Sequence, residues 1–163
     1  MKFTDAQPSK IAPQRGFTLL EVLIAIVVLS IGLLGLAGLQ AAGLRNNNSA
    51  YMRTVATQQV SDMADRMRAN PAGAYAGTAG AATADCLAAG CAPATMAAHD
   101  IFEWNTANTA LLPSGQGTIV ASAAARRFII TVMWDDARTG AVGTGCGGNP
   151  AVDLTCFTMD FEP

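Results

Sequence analysis

Glu21 is the only charged residue between Arg15 and Arg45. An acid within a membrane-length apolar helix costs about 3 kcal/mol near the bilayer centre on insertion scales. A segment that keeps one invites a functional explanation. Phe17 lies four residues earlier and follows Arg15-Gly16. This unusual glycine–aromatic junction lies immediately before the apolar run, with the acid about one helical turn beyond it. Burying one charge alone is expensive, and pairing it in a low dielectric recovers much of that cost.

The remaining chemistry-bearing residues are few. Cys86, Cys91, Cys146 and Cys156 are an even set, which in a non-cytosolic domain points to two disulfides. Three pairings are open. Cys86–Cys91 and Cys146–Cys156 are favoured because each closes a short loop. The spacings contain no CxxC and His99 is the only histidine, so neither a zinc site nor a redox centre is expected. His99 and Asp100 sit beside Glu103, but a catalytic set would need a nucleophile or a second histidine. They read as a polar helix face. Asp135 and Asp136 open a turn whose acids do not continue at the alternate positions a calcium loop requires. No catalytic residue, metal or cofactor is expected.

Around these residues, 1–16 are polar and irregular, with Pro8 and Pro13. Residues 17–39 are 23 positions, long enough to span ~30 Å of hydrocarbon. Lys2, Lys10 and Arg15 precede them, which predicts the N-terminus in the cytoplasm and the bulk of the chain outside it. The first sixteen residues carry +2 and the remainder −4. Such a mildly acidic body does not advertise nucleic-acid binding, which needs concentrated Lys and Arg. Arg126-Arg127 reads as a solvated strand end. Gly32, Gly35 and Gly38 could give the membrane helix a packable seam.

The helical pattern continues over 40–70. Leu44, Tyr51, Met52, Val55, Gln59, Met63 and Met67 recur at three- and four-residue steps and predict an apolar stripe facing a sheet. Gly43 and Asn46-Asn47-Asn48 are the weak points of the helix, and Asn70-Pro71 ends it. Residues 71–84, rich in Ala, Gly and Thr, read as a flexible loop. A second amphipathic helix is expected over about 94–111, then a turn at Pro113–Gly117 and strands at 118–122, 127–134 and 154–161. Phe128, Ile130, Val132 and Trp134 would share one face. The glycine-rich stretch 140–153 reads as exposed. These elements predict an α+β head over 71–163: the long helix against a small antiparallel sheet, with loops stapled by disulfides.

The run Arg15-Gly-Phe-Thr-Leu-Leu-Glu-Val-Leu-Ile-Ala25 closely resembles the class III signal of type IV pilins and their pseudopilin relatives. The resemblance implies that a prepilin peptidase removes 1–16 and methylates the amine of Phe17. It makes Glu21 the assembly acid, which can offset the new Phe17 amine of its own helix or pair with that of a neighbour and set register, and it implies the pilin fold. It also implies partners: other minor and major pilins, the peptidase, a pilus assembly platform and inner-membrane lipid. Residues 91–104, 111–117 and 132–136 are similar to minor pilins of the PilV type. The expected protein is therefore a non-enzymatic minor pilin, anchored in the bacterial inner membrane with a periplasmic head, that primes or joins a type IV pilus. A minor pseudopilin of a type II secretion system is the alternative.

Overall fold

A computed structural model of the chain describes residues 16–77, 80, 86, 90–122 and 127–163. The expected leader, apart from Gly16, lies outside these residues, as does Arg126. The chain divides into two units, Met1–Leu44 and Arg45–Pro163. The helix α1, Leu19–Ala69, is assigned across the boundary, and Gly43 and Asn46-Asn47-Asn48 are helical within it.

In the first unit every described residue is exposed, including the large apolar side chains from Phe17 to Leu44. α1 contains an 18-residue window long and apolar enough to cross a membrane, none of it buried. Such a surface is compatible with lipid or with packing against other apolar helices. A Cβ placed on Gly32, Gly35 or Gly38 would meet nothing within 4 Å, so these glycines leave open notches on the helix.

In the second unit α1 buries Met52, Val55, Ala56, Val60, Met63, Ala64 and Met67. The steps of three, one and four residues trace one helical face. The methionines are on it, as the spacing predicts. Tyr51 and Leu44 are not: Tyr51 is 62% exposed and Leu44 71%. Ala56, Val60 and Ala64 lie on the stripe instead.

Helix α2, Pro93–Leu111, starts with Pro93, whose missing N–H costs nothing in a first turn. It buries Ala97, Ile101, Trp104 and Asn108. The Leu112 N–H donates to the Asn108 carbonyl at 3.0 Å and closes its end. Ser114, with φ 51°, turns the chain into the sheet.

Strands β1 (Gln116–Ala121), β2 (Phe128–Trp134) and β3 (Thr155–Phe161) form an antiparallel sheet in the order β1-β2-β3. Gln116 faces Met133, and Trp134 faces Thr155. Ile130, Val132 and Trp134 are buried on one face of β2 and join the α1 stripe, Ile101, Trp104, Ile119 and Phe161 in the main core. Phe128 packs against the same core while remaining partly exposed. The fold is α+β, a long apolar N-terminal helix with a small three-stranded antiparallel sheet.

Two stretches differ from the sequence reading. Tyr75, within the segment expected to be a loose loop, is 2% exposed and belongs to the core. Gly77 beside it bridges Ile119 at the β1 edge, with N–H to O distances of 2.8 and 3.1 Å. Residues 78–79 and 81–84 of that loop lie outside the described residues. The glycine-rich stretch 140–153 is mostly exposed, yet Ala141 is buried with Met133 and Leu154 in a second small core. Met133 lies on the opposite face of β2 from Val132, so this loop covers the back of the sheet.

Candidate functional site at the helix start

Thr18 caps α1. Its Oγ1 accepts the Glu21 N–H at 3.2 Å, and its carbonyl accepts the N–H groups of Glu21 and Val22 at 3.1 and 3.3 Å. Thr18 and Glu21 thus hold the N-cap and N3 positions of a Thr-x-x-Glu capping pattern. The sequence reading missed this role, although the spacing alone signals it. Glu21 also stands in the first turn, where the helix dipole favours an acid. Local helix chemistry therefore gives the acid a second use besides any pairing with an amine.

Phe17, Glu21, Val22, Ala25, Ile26 and Leu29 line one shallow hollow of about 470 Å³. The structure thus brings Phe17 and Glu21 to the same patch of the first unit. Phe17 is 83% exposed, and Gly16 has nothing within 4 Å of its Cβ direction. The Gly16-Phe17 bond lies ahead of the helix, in exposed residues without regular secondary structure.

The cysteines are joined as Cys86–Cys91, with Cα atoms 5.0 Å apart, and Cys146–Cys156, at 5.4 Å. The second bridge ties the 140–153 loop to β3 beside the Met133 cluster.

His99, Asp100 and Glu103 belong to a network built on Arg66. The Arg66 guanidinium donates to Asp62 at 2.9 Å, to Glu103 at 3.0 Å and to Asp100 at 3.3 Å. The Tyr75 hydroxyl donates to the other Asp100 oxygen at 2.5 Å. Burial opposes the charge on Arg66, but its bonds to Glu103 and Asp62 prevail and raise its pKa. The Arg66 bond holds the Glu103 carboxyl below the usual carboxylate range. Burial, then the bond to Asp100, pushes the Tyr75 hydroxyl well up. His99 Nε2 lies 3.3 Å from Glu103, close enough for an ion pair but not aligned as a hydrogen bond. Asp62, Asp100 and Glu103 are all engaged with one guanidinium. Their arrangement braces α2 against α1 through Arg66, and no local pattern marks Arg66 or Tyr75 as members.

Among the described residues no group of three or more His, Cys, Asp or Glu side chains could hold a metal ion. Asp135 illustrates how the acids are used. Burial disfavours its charge, but the N–H groups of Gly140 and Thr139 outweigh it and hold its carboxyl below the usual range. Those two bonds are 2.7 and 3.1 Å. The acid therefore closes its own turn.

No curated protein and no solved structure matches the chain. Residues 11–37 match the family model of the prokaryotic N-terminal methylation motif. That segment contains the Gly16-Phe17 bond, the Thr18 cap and Glu21. Together with the long apolar helix, the small antiparallel sheet and the two bridged cysteine pairs, the motif makes the chain consistent with a type IV pilin-like protein.

Proposed function

We propose that the chain is a minor pilin of the type IV pilus, a non-enzymatic subunit that primes or joins filament assembly. The observation that carries this reading is the methylation motif over 11–37, with Glu21 in the first turn of an apolar helix. On this reading the peptidase cuts between Gly16 and Phe17 and methylates the new amine. Residues 17–39 remain as a single-pass anchor in the inner membrane, and the head lies in the periplasm. Glu21 then pairs with the Phe17 amine of a neighbouring subunit and sets register in the filament.

The exposed apolar surface of the first unit supports lateral packing with other pilin helices, and the open notches at Gly32, Gly35 and Gly38 support close approach. The resemblance of 91–136 to PilV-type minor pilins favours the pilus over a type II secretion filament. Deletion of the chromosomal copy tests the choice. Loss of surface pili with normal protein secretion supports the minor pilin. Loss of secretion with intact pili assigns the chain to a secretion filament instead.

A further inference from the structure

The head holds a polar cavity of about 560 Å³ lined by Arg45, Asn46, Asn48, Ser49, Asp136, Ala137 and Arg138. Arg45, Asn48 and Ser49 fall on one face of α1, at positions i, i+3 and i+4. The opposite wall is the turn after β2. That turn is rigidly held. Asp136 accepts from the Ser49 hydroxyl at 2.8 Å and from Trp134 Nε1 at 2.9 Å. Asp135 accepts the Thr139 and Gly140 N–H groups. Arg138 takes the left-handed conformation, φ 53°, within this frame.

Both acids of the turn are thus occupied by donors of the head itself. The two arginines are not. Among the described residues no hydrogen bond or ion pair engages the guanidinium of Arg45 or Arg138. The cavity carries two unpaired guanidiniums against one acid whose oxygens are already bonded. Guanidinium forks match the paired oxygens of a phosphate, and the side-chain amides of Asn46 and Asn48 can complete the shell.

The position in the sequence selects the source of the phosphate. Arg45 is the first charge after Glu21 and lies six residues past Leu39 on the same helix. Six residues of chain span at most about 20 Å even when fully extended, so on the anchor reading this tether keeps Arg45 close to the end of the apolar run, where lipid headgroups begin.

We propose that this cavity binds the phosphodiester of an anionic glycerophospholipid headgroup while the subunit resides in the membrane. The proposal rests on the anchor reading of residues 17–39. Carbonate extraction of membranes measures that anchoring separately, so failure of the anchor and failure of the site are told apart.

The test is calorimetric titration of the full chain in dodecyl maltoside micelles. The probes are dioctanoyl phosphatidylglycerol, dioctanoylglycerol without phosphate, inorganic phosphate and a hexaglutamate peptide. Phosphatidylglycerol should bind saturably, and the R45Q/R138Q variant should weaken it at least about tenfold. Inorganic phosphate should compete at higher concentration, and dioctanoylglycerol should give no saturable signal. Equal binding of phosphatidylglycerol by the variant overturns the proposal, as does equal binding of the phosphate-free lipid. Tighter binding of inorganic phosphate than of the lipid makes the site one for free phosphate. Tighter binding of hexaglutamate makes it a protein contact. Either result also overturns the lipid assignment. The far-ultraviolet dichroism of the variant must match the wild type, which both surface substitutions should permit.

Discussion

The Tyr75 hydroxyl donates to the Asp100 carboxylate across 2.5 Å, and both side chains are buried. This bond fastens the segment after α1 to the middle of α2. Tyr75→Phe keeps the ring and leaves one Asp100 oxygen without its donor. The variant should lose about 1–3 kcal/mol of head stability, read from the urea midpoint. The sign with pH is also fixed. The folded state holds the Tyr75 proton more tightly than the unfolded chain does. The resulting stability is present below about pH 10 and is lost as pH rises toward the raised folded value. Alkaline unfolding of the wild type should begin above about pH 10, and Tyr75→Phe should remove that component.

Asp135 gives the opposite dependence. Its carboxyl is held below the usual range by N–H donors. The folded state therefore binds fewer protons than the unfolded chain near pH 4. This stability is present above about pH 4 and is lost as pH falls through the lowered folded value. Asp135→Asn should flatten the fall of the urea midpoint on the acid side, while the contribution of Glu103, also held low, should persist. An unchanged acid slope would show that the turn does not hold a charged carboxylate.

Gly117 faces the ring of Trp104. A Cβ at this position would overlap the Trp104 ring and come within 2.9 Å of Asn108 Nδ2. Trp104 has no room to retreat, since it is fully buried and its Nε1 donates to the Gln59 carbonyl at 2.8 Å. Gly117→Ala should therefore cost about 1–3 kcal/mol through overpacking. A thermal midpoint equal to that of the wild type would show that α2 and β1 can separate without penalty.

The Thr18 cap makes Glu21 testable without losing the helix start. Glu21→Gln keeps the N3 backbone donor that Thr18 accepts and removes the charge. The variant should be cut and methylated normally but recovered in sheared pili at about a tenth of the wild-type level or less, the order expected for an unpaired buried charge. Wild-type recovery would sink the assembly role of the acid.

Gly16 precedes the helix in exposed chain. Gly16→Leu should leave the leader attached, so that mass spectrometry of the purified protein finds no peptide beginning at methylated Phe17. The same variant should still fractionate with membranes, because the apolar run is untouched.

The parts of this fold that were legible in the sequence are those written in a short repeat. The α1 stripe follows a helical period, and Phe128, Ile130, Val132 and Trp134 follow a strand period. The helix-start motif lies within seven consecutive residues. What escaped depends on pairs far apart in the chain. Arg66 meets Asp100 from 34 residues away, and Tyr75 meets it from 25. Neither partner is marked by its neighbours: Tyr75 stands among alanines and glycines, and Arg66 resembles any solvated helix cation. The cavity between Arg45 and Arg138 escaped for the same reason, since a helix face and a turn become its two walls only after folding. Tyr51 shows the reverse error. Its spacing to Val55 satisfies the helical rule, yet a small rotation leaves it on the flank.

The sheet runs in the order of the sequence, and each disulfide joins cysteines only 5 or 10 residues apart. Every strand partner is thus a near neighbour along the chain, which favours rapid hairpin-by-hairpin folding. The four cysteines still allow three pairings, and closing a short loop costs less chain entropy than closing either set of long crossed loops. An unfolded chain in an oxidising compartment is therefore biased toward the native connectivity before the sheet forms.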